Sequence, residues 1–317
     1  MPPELEFVDQ LPPARNVVGG SWRDTGYAIA PQTPREVMQQ IGGLGAYSTG
    51  QQFAWRGVSS ADYIFTSSLQ RDLLESTGKL STEEEIRSAE RQMLDDAREW
   101  GLGGGRNGQV DDLQLLAELQ HFGSPTRLLD LTSNPMTALW FACEEPRAKG
   151  VGKSGLVVAI NVRDWPTYPS ISDLDWAGDP RTPIYARQFE KALEAETPFL
   201  VRALEANSRI AAQEGYFAAS VTPAKARTWY PFAGLNVQFT IRDRRSPPLD
   251  FTRPRGQGQP VRLPFVAIII KASLKAQLRT YLKTTFNRSA RTLFPDFPGF
   301  RTFGTQFGSK EPEDATV

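Results

Sequence analysis

The sequence predicts an α+β protein on a single domain, with mixed or antiparallel sheets and flanking helices. Capped amphipathic helices crowd the first half of the chain, and separate apolar runs of strand length occupy the second. The chain has 317 residues, of which 40% are hydrophobic, enough to build a sizeable core.

The elements follow from period and caps. Ser81-Thr82-Glu83-Glu84-Glu85 offers a capping box ahead of Ile86, Ala89, Met93, Leu94 and Ala97, which predicts a helix over roughly 82–100. The run Gly101 to Gly108 ends it. Asp111 and Asp112 open a second helix, where the dipole favours carboxylates; Leu113, Leu116, Ala117 and Leu119 form its apolar side, and Gly123 suits its C-terminal cap. Asn134-Pro135 caps a third helix through Met136, Leu139, Trp140, Phe141 and Cys143. Residues 155–162, 216–221, 235–241 and 265–270 read as strands. Between them 184–206 reads as helical, with Pro198 starting a new helix. A last helix, 271–283, is expected to carry Lys271, Lys275, Arg279 and Lys283 as a solvated stripe, with Leu274, Leu278 and Leu282 on the other side. Residues 244–260 read as a long surface loop.

Charge excludes several classes of function. The chain carries 36 basic and 36 acidic residues, so no global field holds it on DNA or an anionic membrane. Its apolar runs are far shorter than the roughly 20 residues that cross a bilayer, and no membrane partner is expected. One cysteine, Cys143, and one histidine, His121, make neither an internal disulfide nor a Cys/His zinc site, so no metal and a cytoplasmic location are expected. The charges are nevertheless segregated. Residues 72–145 hold 15 acids and six bases, whereas 251–295 hold nine bases and no acid. Either these segments neutralise each other, which is the plainer expectation, or 251–295 presents a surface for nucleic acid.

Three segments place polar groups where helix or strand spacing does not explain them. Trp55-Arg56-Gly57 sets a guanidinium beside a glycine that permits close backbone approach; it suits a phosphate or carboxylate, or one of the chain's own acids. Leu119 to Thr132 packs Gln120, His121, Thr126, Arg127, Asp130 and Thr132 beside an apolar helix, as a buried network or as a site. There His121 is either a satisfied partner or a base oriented by Asp130, as a hydrolase or nuclease would use it. In Asn207 to Phe217, Gln213 and Glu214 stand where a strand begins, placed to touch a sugar hydroxyl or to make a strand-end hydrogen bond. On a regular strand these two side chains point to opposite faces.

Trp55-Arg56-Gly57, the stretch Gln120-His121 to Thr132 with Asn134-Pro135, Ala138-Leu139-Trp140-Phe141-Ala142, Arg209 with Gln213-x-Gly215-x-Phe217, and Thr292 to Asp296 together resemble the FRG domain family. That family is named for a Phe-Arg-Gly motif, and this chain has Trp at the first position. The resemblance covers roughly residues 35–300, leaving 1–34 as an N-terminal extension and 301–317 as a C-terminal tail. It implies a bacterial or phage-associated protein of the toxin or antiphage-defence kind. A weaker likeness, to the ADP-ribosyltransferase fold, implies NAD as a substrate. Carried over by position, Arg56 and Gly57 would hold the NAD phosphates; Arg127 and Asp130 have no counterpart in that pattern and are expected either near the nucleotide or as an ion pair with each other. Thr132 would brace Arg56 or line the nicotinamide pocket, and Glu214 or Gln213 would contact the ribose. A carboxylate there stabilises charge that builds on the ribose as nicotinamide leaves. The partners implied are a nucleotide substrate and a macromolecular acceptor or regulatory protein. The alternative is a non-catalytic module that binds a nucleotide, nucleic acid or protein.

Overall fold

A computed structural model describes residues 22–47, 50–63, 65–105, 108–109, 112–145, 153–168, 192–202, 208–222, 231–243, 245–256 and 259–304. Its centre is a mixed sheet of β1 (Ala28–Ile29), β2 (Phe53–Val58), β5 (Leu129–Thr132), β6 (Gly155–Asn161), β7 (Thr167–Tyr168), β8 (Phe199–Val201), β9 (Gly215–Ala219) and β10 (Phe265–Ile270). Their order is β1-β10-β6-β2-β5-β9-β8-β7. The outer pairs β1/β10 and β7/β8 are parallel and the pairs between them antiparallel. A small hairpin, β3 (Gly104–Gly105) and β4 (Gly108–Gln109), stands apart from this sheet. The inner strands β6 and β10 are buried almost throughout, and strands covered on both faces need continuous apolar runs rather than alternation.

The helices are α1 (Pro34–Tyr47), α2 (Ser68–Thr77), α3 (Glu83–Glu99), α4 (Asp112–His121), α5 (Pro135–Cys143), α6 (Ser208–Ala212), α7 (Ala272–Phe286), α8 (Ala290–Leu293) and α9 (Phe297–Phe303). Thr82 and Glu85 close the capping box of α3, and the Asn134 side chain accepts from the Met136 amide to start α5. Helix α5 is apolar all round because the sheet touches one side of it and α7 another. Its approach is close: a Cβ added to Gly57 would stand 1.7 Å from the Ala138 carbonyl oxygen, and one on Gly155 would stand 1.9 Å from that of Ala142. Among the described residues no helix is long and apolar enough to cross a membrane.

Four expectations are corrected. Phe199–Val201 is a strand rather than helix, because three buried apolar residues after Pro198 gain ladder partners in β9; residues 184–191 and 203–206 of the expected helical stretch lie outside the described residues. Residues 235–241 join no ladder, although Phe239 packs edge-on against Phe232 and Phe265. The core also begins upstream of residue 35: Trp22 meets Phe65, Phe232 and Phe265 at 5.2–5.9 Å, and β1 extends the sheet.

The fourth correction concerns charge. Lys275 is 1% exposed, and its Nζ donates to the main-chain oxygens of Ser59 (2.8 Å) and Glu144 (2.9 Å). Burial lowers its pKa. It ties the end of β2 to the end of α5 and belongs to no solvated stripe. Nor do the acidic and basic segments neutralise each other. Acids of 72–145 pair with Lys79, Arg87, Arg98 and Arg127 inside the same segment. Among the described residues the only ion pair joining the two segments is Arg279 with Glu144, at 3.7 Å.

Candidate functional site

Adjacency of β2, β5 and β9 gathers the motif residues. Trp55 stands opposite Thr132, and Thr132 opposite Gly215, so one row crosses the middle of the sheet. Arg56 is next to that row on β2, and Glu214 directly precedes its other end.

Arg56 leans over the Phe65 ring at 5.6 Å. Its Nη1 donates to the main-chain oxygen of Asp130 (2.5 Å) and lies 3.5 Å from Oδ2 of the same residue. The Arg56 side chain is 17% exposed and that of Asp130 60%, so the pair opens to solvent on the carboxylate side. Gly57 has a different reason to be glycine: Ala138 of α5 fills the space above it, so the close approach is to the chain's own helix and not to a ligand.

Gln120 holds Asp130 from the other direction. Its Nε2 donates to both Asp130 oxygens at 3.4 Å, while Oε1 accepts from Thr126 Oγ1 (2.7 Å) and Ser68 Oγ (3.4 Å). Next in sequence, His121 ends α4 and is half-buried. Burial and the neighbouring Arg209 push its pKa down, against the opposing pull of Asp296 and Asp130. The imidazole is therefore neutral at pH 7 and stands among two carboxylates and a guanidinium.

Thr132 does not brace Arg56. Its Oγ1 donates to the Gln213 main-chain oxygen (2.7 Å) and accepts from the Asn134 amide (3.0 Å). Gln213 and Glu214 form the turn between α6 and β9 rather than part of a strand, so alternation of faces does not apply to them. The Gln213 amide donates to the Leu293 carbonyl (3.1 Å) and so ties this turn to α8. Glu214 has φ of +50°, a conformation that costs a non-glycine residue energy and clusters at functional sites. Its Oε1 accepts from Asn134 Nδ2 (2.8 Å) and Arg288 Nη2 (2.6 Å), and its side chain remains 43% exposed. Below this turn Arg209 grips Asp296 through two parallel bonds of 2.7 and 2.8 Å, with the Phe294 ring 5.2 Å from its guanidinium.

Arg127 goes elsewhere. It is 3% exposed and pairs with Glu90 and Glu83 of α3, not with Asp130. Buried and saturated, it fastens α3 to the sheet rather than offering donors to a nucleotide. Asp130 has Arg56 and Gln120 instead.

Of the candidates expected from the sequence, Arg56, His121, Asp130 and Glu214 thus remain partly open charged or titratable groups, and Thr132 and Gln213 position the turn beneath Glu214. Sequence reasoning did not place Arg288 at the site: it lay unmarked in a basic segment, with no signal that it would reach Glu214. A separate apolar groove of about 470 Å³ runs between α1, β2 and the start of α5, lined by Met38, Ile41, Phe53, Trp55 and Met136 among others. None of the four open groups lines it. Among the described residues no cluster of His, Cys, Asp and Glu is arranged to hold a metal ion.

The FRG domain family model matches residues 51–150, the segment that carries Arg56, His121, Asp130 and Thr132. No curated protein and no solved structure matches the chain.

Proposed function

We propose that this chain, with its FRG domain, takes NAD as a substrate, breaks the bond between nicotinamide and ribose, and passes the ADP-ribosyl group to a macromolecule or to water. The observation that carries this reading is the row Trp55, Thr132, Gly215, which sets the three segments that resemble ADP-ribosyltransferases on neighbouring strands. Two strand spacings and a two-residue offset along the strands separate the backbones of Arg56 and Glu214 by roughly 12 Å, a span that one dinucleotide bridges.

In the proposed reaction the guanidinium of Arg56 binds the diphosphate through donors other than Nη1. Nicotinamide leaves with the electron pair of the C1′–N bond, and the Glu214 carboxylate stabilises the positive charge left on the ribose. A hydroxyl, amine or water then bonds to C1′ and gives up its proton, for which neutral His121 is a base of suitable strength. Thr132, Gln213, Asn134 and Arg288 hold Glu214 in position. The cellular role that goes with this chemistry is that of a toxin or antiphage effector acting in the cytoplasm.

The test is nicotinamide release, or transfer of label, from NAD labelled in its adenylate phosphate. Arg56→Ala and Glu214→Gln should each lower it by roughly 10²-fold while circular dichroism stays native. Absence of both turnover and calorimetric NAD binding in the wild type would end the proposal. A second reading, a hydrolase or nuclease with His121 as base, draws on the neutral imidazole beside Asp130. Phosphodiester or ester hydrolysis by the wild type that is lost in His121→Ala, with no nicotinamide released from NAD, would favour the second reading.

A further inference from the structure

We infer that the exposed side of α7, α8 and α9 is a binding surface for single-stranded nucleic acid. The inference is independent of NAD chemistry and rests on two features of these helices: unspent positive charge and aromatic rings turned out to solvent.

Most of the charge is unspent because these helices themselves carry almost no acid. From Lys271 to Phe303 the sequence holds seven bases and one carboxylate, Asp296, which is already committed to Arg209 and to the Gly299 amide. Of the bases, Lys275 is buried and Arg288 serves Glu214. Arg279 reaches Glu144 only at 3.7 Å and is 49% exposed. Lys283, Arg291 and Arg301 are exposed, and no ion pair joins them to a carboxylate among the described residues. A polyanion is the partner that such a surface complements.

The aromatics narrow the class. Phe297 is 91% exposed, Phe300 69%, Tyr281 40% and Phe286 37%. Exposed apolar side chains that cluster mark binding surfaces, and the Tyr281 and Phe286 rings stand 5.5 Å apart on α7. Arg279, Lys283 and Phe286 recur at i, i+4 and i+7, so they share a flank of α7; Phe297, Phe300 and Arg301, at i, i+3 and i+4, share one of α9. Cations interleaved with ring faces fit a single strand, whose phosphates meet the bases of the protein and whose unpaired nucleobases stack on the rings. A duplex offers phosphates without free base faces, and an acidic peptide leaves the rings without planar partners.

The experiment is fluorescence anisotropy of labelled 20-nucleotide oligo-dT and oligo-U with the full chain, titrated at several salt concentrations. Binding is expected, with affinity falling as the salt rises at a slope of about −2 to −3 in log–log form, as three or four phosphate contacts require. The double charge reversal Lys283→Glu, Arg291→Glu should weaken it at least tenfold. Phe297→Ala with Phe300→Ala should weaken single-strand binding by about tenfold or more, without changing competition by duplex. These residues are exposed, so thermal melts should match wild type. No binding at low salt overturns the inference, and so does binding that ignores the charge reversals. Loss only on charge reversal, with the phenylalanine variants unaffected and heparin competing as well as oligonucleotide, also overturns it in favour of general polyanion binding. Nicotinamide release measured on the same protein without oligonucleotide keeps this outcome separate from that of the NAD proposal.

Discussion

Arg127 donates to Glu90 through both Nε and Nη2, at 2.7 and 2.5 Å, and each side chain is 3% exposed. A third bond, from Nη1 to Glu83 at 2.9 Å, completes a buried cluster that joins α3 to the start of β5. Removing one member leaves the other's charge stranded. Arg127→Met should therefore lower stability by about 3–5 kcal/mol in urea titrations, and adding Glu90→Leu should recover much of the loss. A nucleotide-binding arginine would behave in the opposite way, losing ligand with little change in stability.

Gly57 invites a similar distinction. With the Ala138 oxygen 1.7 Å from the position of an added β-carbon, Gly57→Ala must push α5 off the sheet. We expect a destabilisation of about 1–3 kcal/mol, seen as a lower melting temperature. Unchanged stability with lost NAD binding would instead give Gly57 to the ligand.

His121 is the chain's single histidine, so its imidazole gives one unambiguous NMR signal. Its titration midpoint should fall below the ordinary value near 6.5, since burial and Arg209 disfavour the cation. Asp130→Asn removes a charge that favours the cation and should move the midpoint lower still. A midpoint above 6.5 would contradict the placement of the ring.

The Arg209 and Asp296 pair sets a pH window. Burial works against the Asp296 carboxylate, but the bonds from Arg209 and the Gly299 amide outweigh it and hold the pKa below its ordinary 3.8. A carboxyl whose folded pKa is depressed stabilises fully above the unfolded value and loses that contribution as pH falls through the folded one. Relative to Asp296→Asn, the wild type should be more stable by about 1–3 kcal/mol above roughly pH 5, with the margin shrinking below pH 3.8. Chemical denaturation across that range measures it.

The sequence disclosed what local rules decide. The box at Thr82 and Glu85, the Asn134-Pro135 cap and the apolar runs of β6 and β10 each contain their own explanation, and the elements stand where those rules put them. Lys275 was misread because spacing by four advances a helix by 400°, so a row of such residues winds around the axis. At 275 that winding has not yet left the side of Leu274, Leu278 and Leu282, where only the carbonyls of Ser59 and Glu144 make an ammonium tolerable. β8 was hidden because its ladder partner, β9, comes later in the chain. In the site, Arg56 and Asp130 were legible as candidates, but their bond was not, since it depends on which strands become neighbours. The same holds for Thr132 with Gln213 and for Glu214 with Arg288.

Strand order also decides what can be excised. Residues 51–150 supply β2 and β5, which lie side by side, yet the far edge of β2 belongs to β6 and that of β5 to β9, both encoded downstream. A fragment trimmed to the matched stretch would carry raw ladder edges on both flanks, with Leu129, Leu131 and Trp55 uncovered, and would self-associate. The matched stretch is thus not a portable module. Fusions and expression fragments should run from Trp22 through Phe303.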